Sequence, residues 1–420
     1  MLAFVNANLI DGTGTPARKR QRVLVNKSRI EAIGRFIDIP EGTEVIDLKG
    51  KTLMPGLIDS HVHYGNGYRK GIASPEETNN YQDMRNNALA FGVTCIRSGG
   101  DYYPKVISVR DRINAGEIRG PRLIVCGPHI MRKEAHPAST MWGGNKDTIA
   151  NCGMYPLSVQ EAIDCVAKLA DNGVDYIKII LSDSHMSVYP TQFPQIPDDV
   201  LRAICEEAQR RNLRTVAHVE TLYNAQRFVD FGGNEVHHLM MTASERSELS
   251  AYAPLFKKMC ENDVGLVPTM VIPRRNEAKR IALGRSGSNI DHMANVIRMA
   301  YDYGVLLGCG TDAGAPNTPW GPSLHGELDL YVDSVGLSPL EAIRSATFIN
   351  AKLMNLEGKL GQIRVGAFAD MLVLRDDPTT DILHTSSIVS VMKDGKFEFG
   401  EGANLKEEDM PNPKRSWNRF

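Results

Sequence analysis

The sequence predicts an α/β fold, a (β/α)8 barrel that carries a small antiparallel domain made by both ends of the chain. Three observations lead there. Both ends read as short alternating strands, the middle alternates apolar strands with amphipathic helices, and eight such strands can be counted before the last helix.

Up to about Lys51 the chain reads as AFVNANLI, QRVLVNKSRIEAIG and TEVIDLKG, separated by Gly- and Asp-bearing turns. The same texture returns in GQIRVGAFADMLVLRDDP and SIVSVMKDGKFEF, so the ends are expected to meet. The expected division is 1–54 with 361–400 for this domain, 55–360 for the barrel, and 401–420 for a polar, Pro-bearing tail.

Between the ends, LSVQEAIDCVAKLADNGVDYIKIIL shows the repeating unit. Ser158 and Glu161 form a capping-box pattern; Val159, Ile163, Val166 and Leu169 recur at helical spacing; Gly173 ends the helix and a strand follows. The eight strands are TLMPGLIDSHVH, GVTCIRSGG, RLIVCGP, VDYIKII, LRTVAHV, NEVHHL, VGLVPTM and GVLLGCGTDAG. A second capping box, Ser338 to Glu341, opens the closing helix. The count, and the lack of a Gly-rich phosphate loop after the first strand, disfavour a doubly wound sheet.

Composition bounds the function. The 420 residues exceed the ~250–300 at which one core stops growing. With 48 basic against 50 acidic residues the net charge is −2, so nothing suggests nucleic acid or a membrane surface as partner, and a small-molecule substrate is expected. No apolar run nears the ~20 residues of a membrane span and MLAFVNANLIDGTG lacks the features of a signal peptide, so the cytoplasm is the expected compartment. Seven cysteines stand singly without a CxxC pair, which argues against a disulfide framework or a cysteine zinc site.

In a barrel the active site lies at the C-terminal strand ends. There the chain places His61 and His63, Lys178, His218, His237 and His238, and Asp312. Alternate strand residues face one way, so His61 and His63 can serve one ion while Val62 packs. A lysine amid YIKII is an expensive burial that lowers its pKa; the neutral amine can take up carbon dioxide and become an anionic carbamate able to bridge two metals. Two such ions lower the pKa of water and polarise a carbonyl. Singly, each residue has an ordinary explanation: a half-exposed histidine, a snorkelling lysine, a turn-capping aspartate. Their conjunction at five strand ends singles out a metal centre. His129, His136 and His325 lie on loops near the same face and could bind substrate; Tyr223, Arg97 and His185 are further candidate substrate contacts, with His292 a weaker one. Arg69, Lys70, Arg132 and Lys133 suggest an anionic substrate group.

These residues make the chain resemble the amidohydrolase superfamily, most closely its imidazolonepropionase-like and prolidase-like branch, over nearly its whole length. The motifs are TLMPGLIDSHVH, VDYIKII, TVAHV, GTDAG, HGELDLYVDSVGLSPLEAIRSATFINAKLM and GQIRVGAFADMLVL. The resemblance implies a small β-sandwich at the termini. It implies that His61, His63 and Asp312 hold one metal, that His218 and His238 hold the other, and that a carbamylated Lys178 bridges them. Where that family shows a Glu-His pair at strand six this chain has His237 and His238, and LSDSHMS replaces the Gly-rich turn that often follows the lysine. The expected activity is hydrolysis of a C–N bond, amide, peptide or cyclic amide, of a small molecule such as a dipeptide or N-acyl amino acid. The expected cofactors are two divalent metal ions, zinc by ligand type, that share a hydroxide, and Asp312 is the proton acceptor. A homo-oligomer is a weaker implication. Two alternatives stay open. A ring deaminase resembles HxxE after strand five, where this chain has His218-Val-Glu220; a non-catalytic scaffold would have lost ligands, whereas all six positions are filled.

Overall fold

The computed structural model describes residues 1–64, 79–183, 193–239, 247–282, 290–315, 318–406 and 409–410; Arg69, Lys70, His185 and the tail from 411 onward lie outside them. The first strands are β1 (Leu2–Leu9), β2 (Arg18–Asn26), β3 (Arg29–Gly34), β4 (Glu44–Asp47) and β5 (Thr52–Pro55). Next come β6 (Leu57–Val62), β7 (Val93–Ser98), β8 (Arg122–Ile124), β9 (His129–Ile130) and β10 (Gly153–Met154). Then follow β11 (Ile177–Leu181), β12 (Thr215–Val219), β13 (Glu235–His238), β14 (Gly265–Val267) and β15 (Leu306–Leu307). The last are β16 (Met371–Leu374), β17 (Ile388–Lys393) and β18 (Lys396–Gly400).

Both ends of the chain enter one mixed sheet, ordered β18-β17-β16-β5-β1-β2-β3 with β4 beside β1. The seam is the antiparallel pair β5–β16, from Thr52 opposite Leu374 to Pro55 opposite Met371. Phe4, Leu9, Val23, Ile30, Leu53, Val373 and Met392 pack into its own core.

The rest is an α/β fold with parallel sheets. One sheet is β6-β7-β8 and the other is β10-β9-β11-β12-β13-β14-β15. Hydrogen bonds link them in two places. Ser60 N donates to Cys309 O at 3.1 Å and His63 N to Ala313 O at 2.7 Å, while Asp175 N donates to Val125 O at 2.7 Å.

Three local readings are corrected. The run TLMPGLIDSHVH is two strands in two sheets, parted at Gly56, whose N–H goes to Asp370 O at 2.9 Å. A Cβ there would stand 2.2 Å from Thr94 Oγ1, so only glycine lets the chain pass. On the helix Val159–Asp171 the buried stripe is Ala162, Val166 and Leu169, and Val159 is 40 % exposed. Ser158 caps it by accepting from Glu161 N, but the Glu161 carboxylate takes Leu157 N, one residue short of the reciprocal box; Ser338 and Glu341 make the full box. Finally, β9 and β10 are short strands outside the eight expected; Ile130 pairs with Ile179 of β11.

All seven cysteines are free, five of them buried. Among the described residues no helix is long and apolar enough to cross a membrane.

Candidate metal centre

Strand register brings the candidate ligands together. In parallel pairing Lys178 lies beside Val216 and Val216 beside Glu235, and one layer up Ile180, His218 and His237 form the matching row. Period-two alternation turns both rows to the same face. His238 ends β13 with φ 75°, and its ring centroid lies 4.4 Å from that of His218 and 4.7 Å from that of His61.

Asp312 reaches the cluster from the segment after β15. Its N–H donates to His61 O at 2.7 Å with φ 59°, a conformation that aspartate tolerates better than most residues. Asp59 organises the approach. Its carboxylate accepts from Thr311 Oγ1 at 2.6 Å and from Thr311 N at 3.1 Å. Burial pushes the Asp59 carboxyl up to about 7 against these hydrogen bonds.

His61, His63 and Asp312 each offer a donor atom, all within 4.8 Å of one another. His63 Nδ1 lies 3.4 Å from the Gly100 carbonyl. Its Nε2 lies 2.9 Å from Asp312 Oδ1, and His61 Nε2 faces the same oxygen at 3.4 Å. Two imidazoles and a carboxylate suit a divalent ion such as zinc.

Burial sets the protonation states. His61 and His238 are held well below the usual imidazole value by desolvation, and His237 is held at about 3 by desolvation and by Lys178. Neutral imidazole is the ligating form. Lys178, 1 % exposed, is lowered to about 7, first by burial. Burial would raise Asp312, yet its contact with His63 holds it at about 2.

Of the expected substrate contacts, His136 stands nearest the cluster. Its ring is 5.2 Å from that of His218 and its Nδ1 is 2.6 Å from Thr140 Oγ1. Three others stand elsewhere. Arg97 is buried beneath the ligands and paired with Glu235, so its charge is spent inside the protein. His325 engages Thr385 Oγ1 at 2.8 Å and the Phe91 carbonyl at 3.0 Å with its two ring nitrogens. Tyr223 is 63 % exposed and stacks near Arg227. Arg132 pairs with Glu134 at 3.4 Å, and His129 is buried with Nδ1 3.0 Å from Cys152 O.

Sequence reasoning missed Asp59 and Glu235, which stand two residues before His61 and His237. Strand alternation was the available signal, because a residue two back from a ligand shares its face. Glu220, weighed only for its spacing, has Oε1 2.9 Å from both His218 Nε2 and Ser182 Oγ.

Comparison with known proteins agrees with this architecture. Ochratoxinase from Aspergillus niger is 28 % identical, across 96 % of this chain and 88 % of its own. Imidazolonepropionase from Colwellia psychrerythraea is 22 % identical, across 88 % of this chain and 89 % of its own. A solved Xaa-Pro dipeptidase with methionine bound in its active site superposes with a TM-score of 0.77 at 25 % identity, covering 94 % of this chain and 99 % of that one. The solved ochratoxinase shares the fold at a TM-score of 0.79 and 24 % identity, covering 96 % of each chain. The profile of the amidohydrolase family matches residues 52–397. That match starts with β5 and runs into β18, taking in every candidate ligand, and the chain therefore belongs to the amidohydrolase family, whose members are hydrolases acting on carbon–nitrogen bonds.

Proposed function

We propose that the chain is a binuclear metal-dependent hydrolase that cleaves the amide bond of a small molecule, a dipeptide or an N-acyl amino acid. The observation that carries this reading is the convergence of His61, His63 and Asp312 within 4.8 Å. His218 and His238 lie alongside, and buried Lys178 stands 3.4 Å from the neighbouring His237. The relatives that bear on substrate are the Xaa-Pro dipeptidase and ochratoxinase. The same proposal takes the two parallel sheets as one closed (β/α)8 barrel over 55–360. It takes the mixed sheet as a small β-sandwich from 1–54 and 361–400.

His61, His63 and Asp312 would hold the first ion and His218 and His238 the second. Lys178, neutral at its Nζ, could add to carbon dioxide and lose a proton, and the resulting carbamate would supply an anionic oxygen ligand. Two bound divalent ions would supply an activated water and polarise the substrate carbonyl. Asp312 accepts a proton from the attacking water and passes it to the leaving nitrogen; its low pKa keeps it ionised and ready. His136, beside His218, binds substrate at the rim.

The test is a screen of zinc-reconstituted protein, with Asp312→Asn as control, against X-Pro and other dipeptides, N-acyl amino acids, lactones, cyclic imides and aminated heterocycles. Turnover of acyl or dipeptide substrates that the control lacks supports the proposal. Glu220 beside His218 favours a second reading, ring deamination with a carboxylate proton shuttle. Ammonia release from a heterocycle, with no amide cleaved, would replace the first reading with the second.

A further inference from the structure

We propose that Glu235 and His237 form a buried positioning relay that fixes the tautomer of His61, so that His61 presents Nε2 to the first metal. The inference rests on the metal-centre reading above and adds two residues to it. Glu235 and His237 alternate on one face of β13, and their exposures are 0 % and 1 %. Arg97 anchors the lower end. Its Nη1 donates to Glu235 Oε2 at 3.0 Å, its Nη2 donates to Glu235 Oε1, and its Nε donates to Ser60 O at 2.8 Å on the strand that carries His61. Burial alone would raise the Glu235 carboxyl, but the guanidinium and His237 hold it below the ordinary carboxylate value, so it is ionised and can only accept.

Glu235 Oε1 is 2.7 Å from His237 Nε2. Arg97 Nη2 also stands near that nitrogen, at 3.0 Å, and would favour the opposite tautomer. The carboxylate decides the matter. It is closer, it is charged, and Nη2 already donates to it. With the proton on Nε2, His237 Nδ1 is an acceptor, and it meets His61 Nδ1 directly, with Lys178 Nζ at 3.4 Å. His61 then carries its proton on Nδ1 and leaves Nε2 bare, 3.4 Å from Asp312 Oδ1. Outer partners of this kind govern both ring orientation and ligand basicity. Here a second histidine stands between the carboxylate and the ligand.

Two readouts test the relay. In metal-free protein labelled with 15N-histidine and assigned through single histidine variants, two-bond proton–nitrogen spectra should place the proton on Nε2 of His237 and on Nδ1 of His61. Chelator competition should then show zinc affinity about 10- to 100-fold weaker in Glu235→Gln and His237→Leu. His237→Gln, whose amide oxygen can still accept from His61, should stay close to wild type; it also serves if the leucine variant misfolds. A proton on Nδ1 of His237, or wild-type zinc affinity in His237→Leu, overturns the relay. The expected tautomers in a wild-type protein that binds no zinc would instead overturn the metal-centre reading and leave the tautomer assignment standing.

Discussion

Replacing Lys178 with methionine keeps an unbranched side chain as far as Cε and removes the nitrogen beyond it, and the structure states what that should do to stability. Burial lowers this amine from the ordinary 10.5 to about 7. Between those values the folded chain holds it neutral while the unfolded chain keeps it protonated, so unfolding takes up a proton and stability rises with pH. Below pH 7 both states carry the charge and the full penalty of burying it is present. At about 1.36 kcal/mol per unit, the shift from 10.5 to about 7 is worth up to about 5 kcal/mol across the window, and about 2–3 kcal/mol between pH 7 and 9. The assay is urea unfolding of chelator-treated protein in carbon-dioxide-free buffer, wild type against Lys178→Met. The methionine variant should be the more stable near pH 7, and its advantage should shrink by that amount at pH 9. Bicarbonate should then stabilise the wild type alone, since carbon dioxide consumes the neutral amine. Parallel pH profiles, or an equal response to bicarbonate, would refute the reasoning.

Asp312→Asn should lower kcat about 100- to 10,000-fold, the usual worth of a positioned proton acceptor, and steady-state kinetics on any substrate found will measure it. Zinc at 100 times its dissociation constant should stabilise the apo protein by about 2.7 kcal/mol, and chelation should reverse the gain in a thermal melt. Gly56→Ala drives a Cβ to 2.2 Å from Thr94 Oγ1 and should cost about 1–3 kcal/mol; Thr94→Ala in the same chain should recover part of it, because the two nearest clashing atoms go with that side chain. Glu327, buried, accepts Met270 N at 2.8 Å and Val271 N at 2.7 Å. Glu327→Ala strands both donors and should cost about 1–3 kcal/mol for each, read as a lowered unfolding midpoint, with Glu327→Gln milder.

Much of the candidate centre was legible because its residues violate the usual economy of strands. A lysine inside YIKII and histidines closing apolar runs are costly unless something repays them, and alternation says which of them share a face. The layer at which a side chain acts was not legible. Arg97 ends a strand as the ligands do, but its reach carries it beneath them to Glu235, a partner 138 positions away that no local pattern indicates. His325 and Tyr223 were named for their chemistry, and helix packing decides their surroundings instead. The division between β5 and β6 was hidden because the apolar text runs unbroken across Gly56. Its cause is Thr94, a contact made by folding and not by spacing.

The seam between β5 and β16 has a consequence for biosynthesis. The strand that leads into His61 pairs with one of the last strands to leave the ribosome, and Asp59 waits for Thr311, 252 positions later. At about 5–20 residues per second the nascent chain carries its first two histidines for many seconds without the aspartate that completes their cluster. The half-made protein therefore holds an unfinished sheet edge and a pair of lone imidazoles together. Truncations before β16 should yield insoluble protein rather than a weaker enzyme.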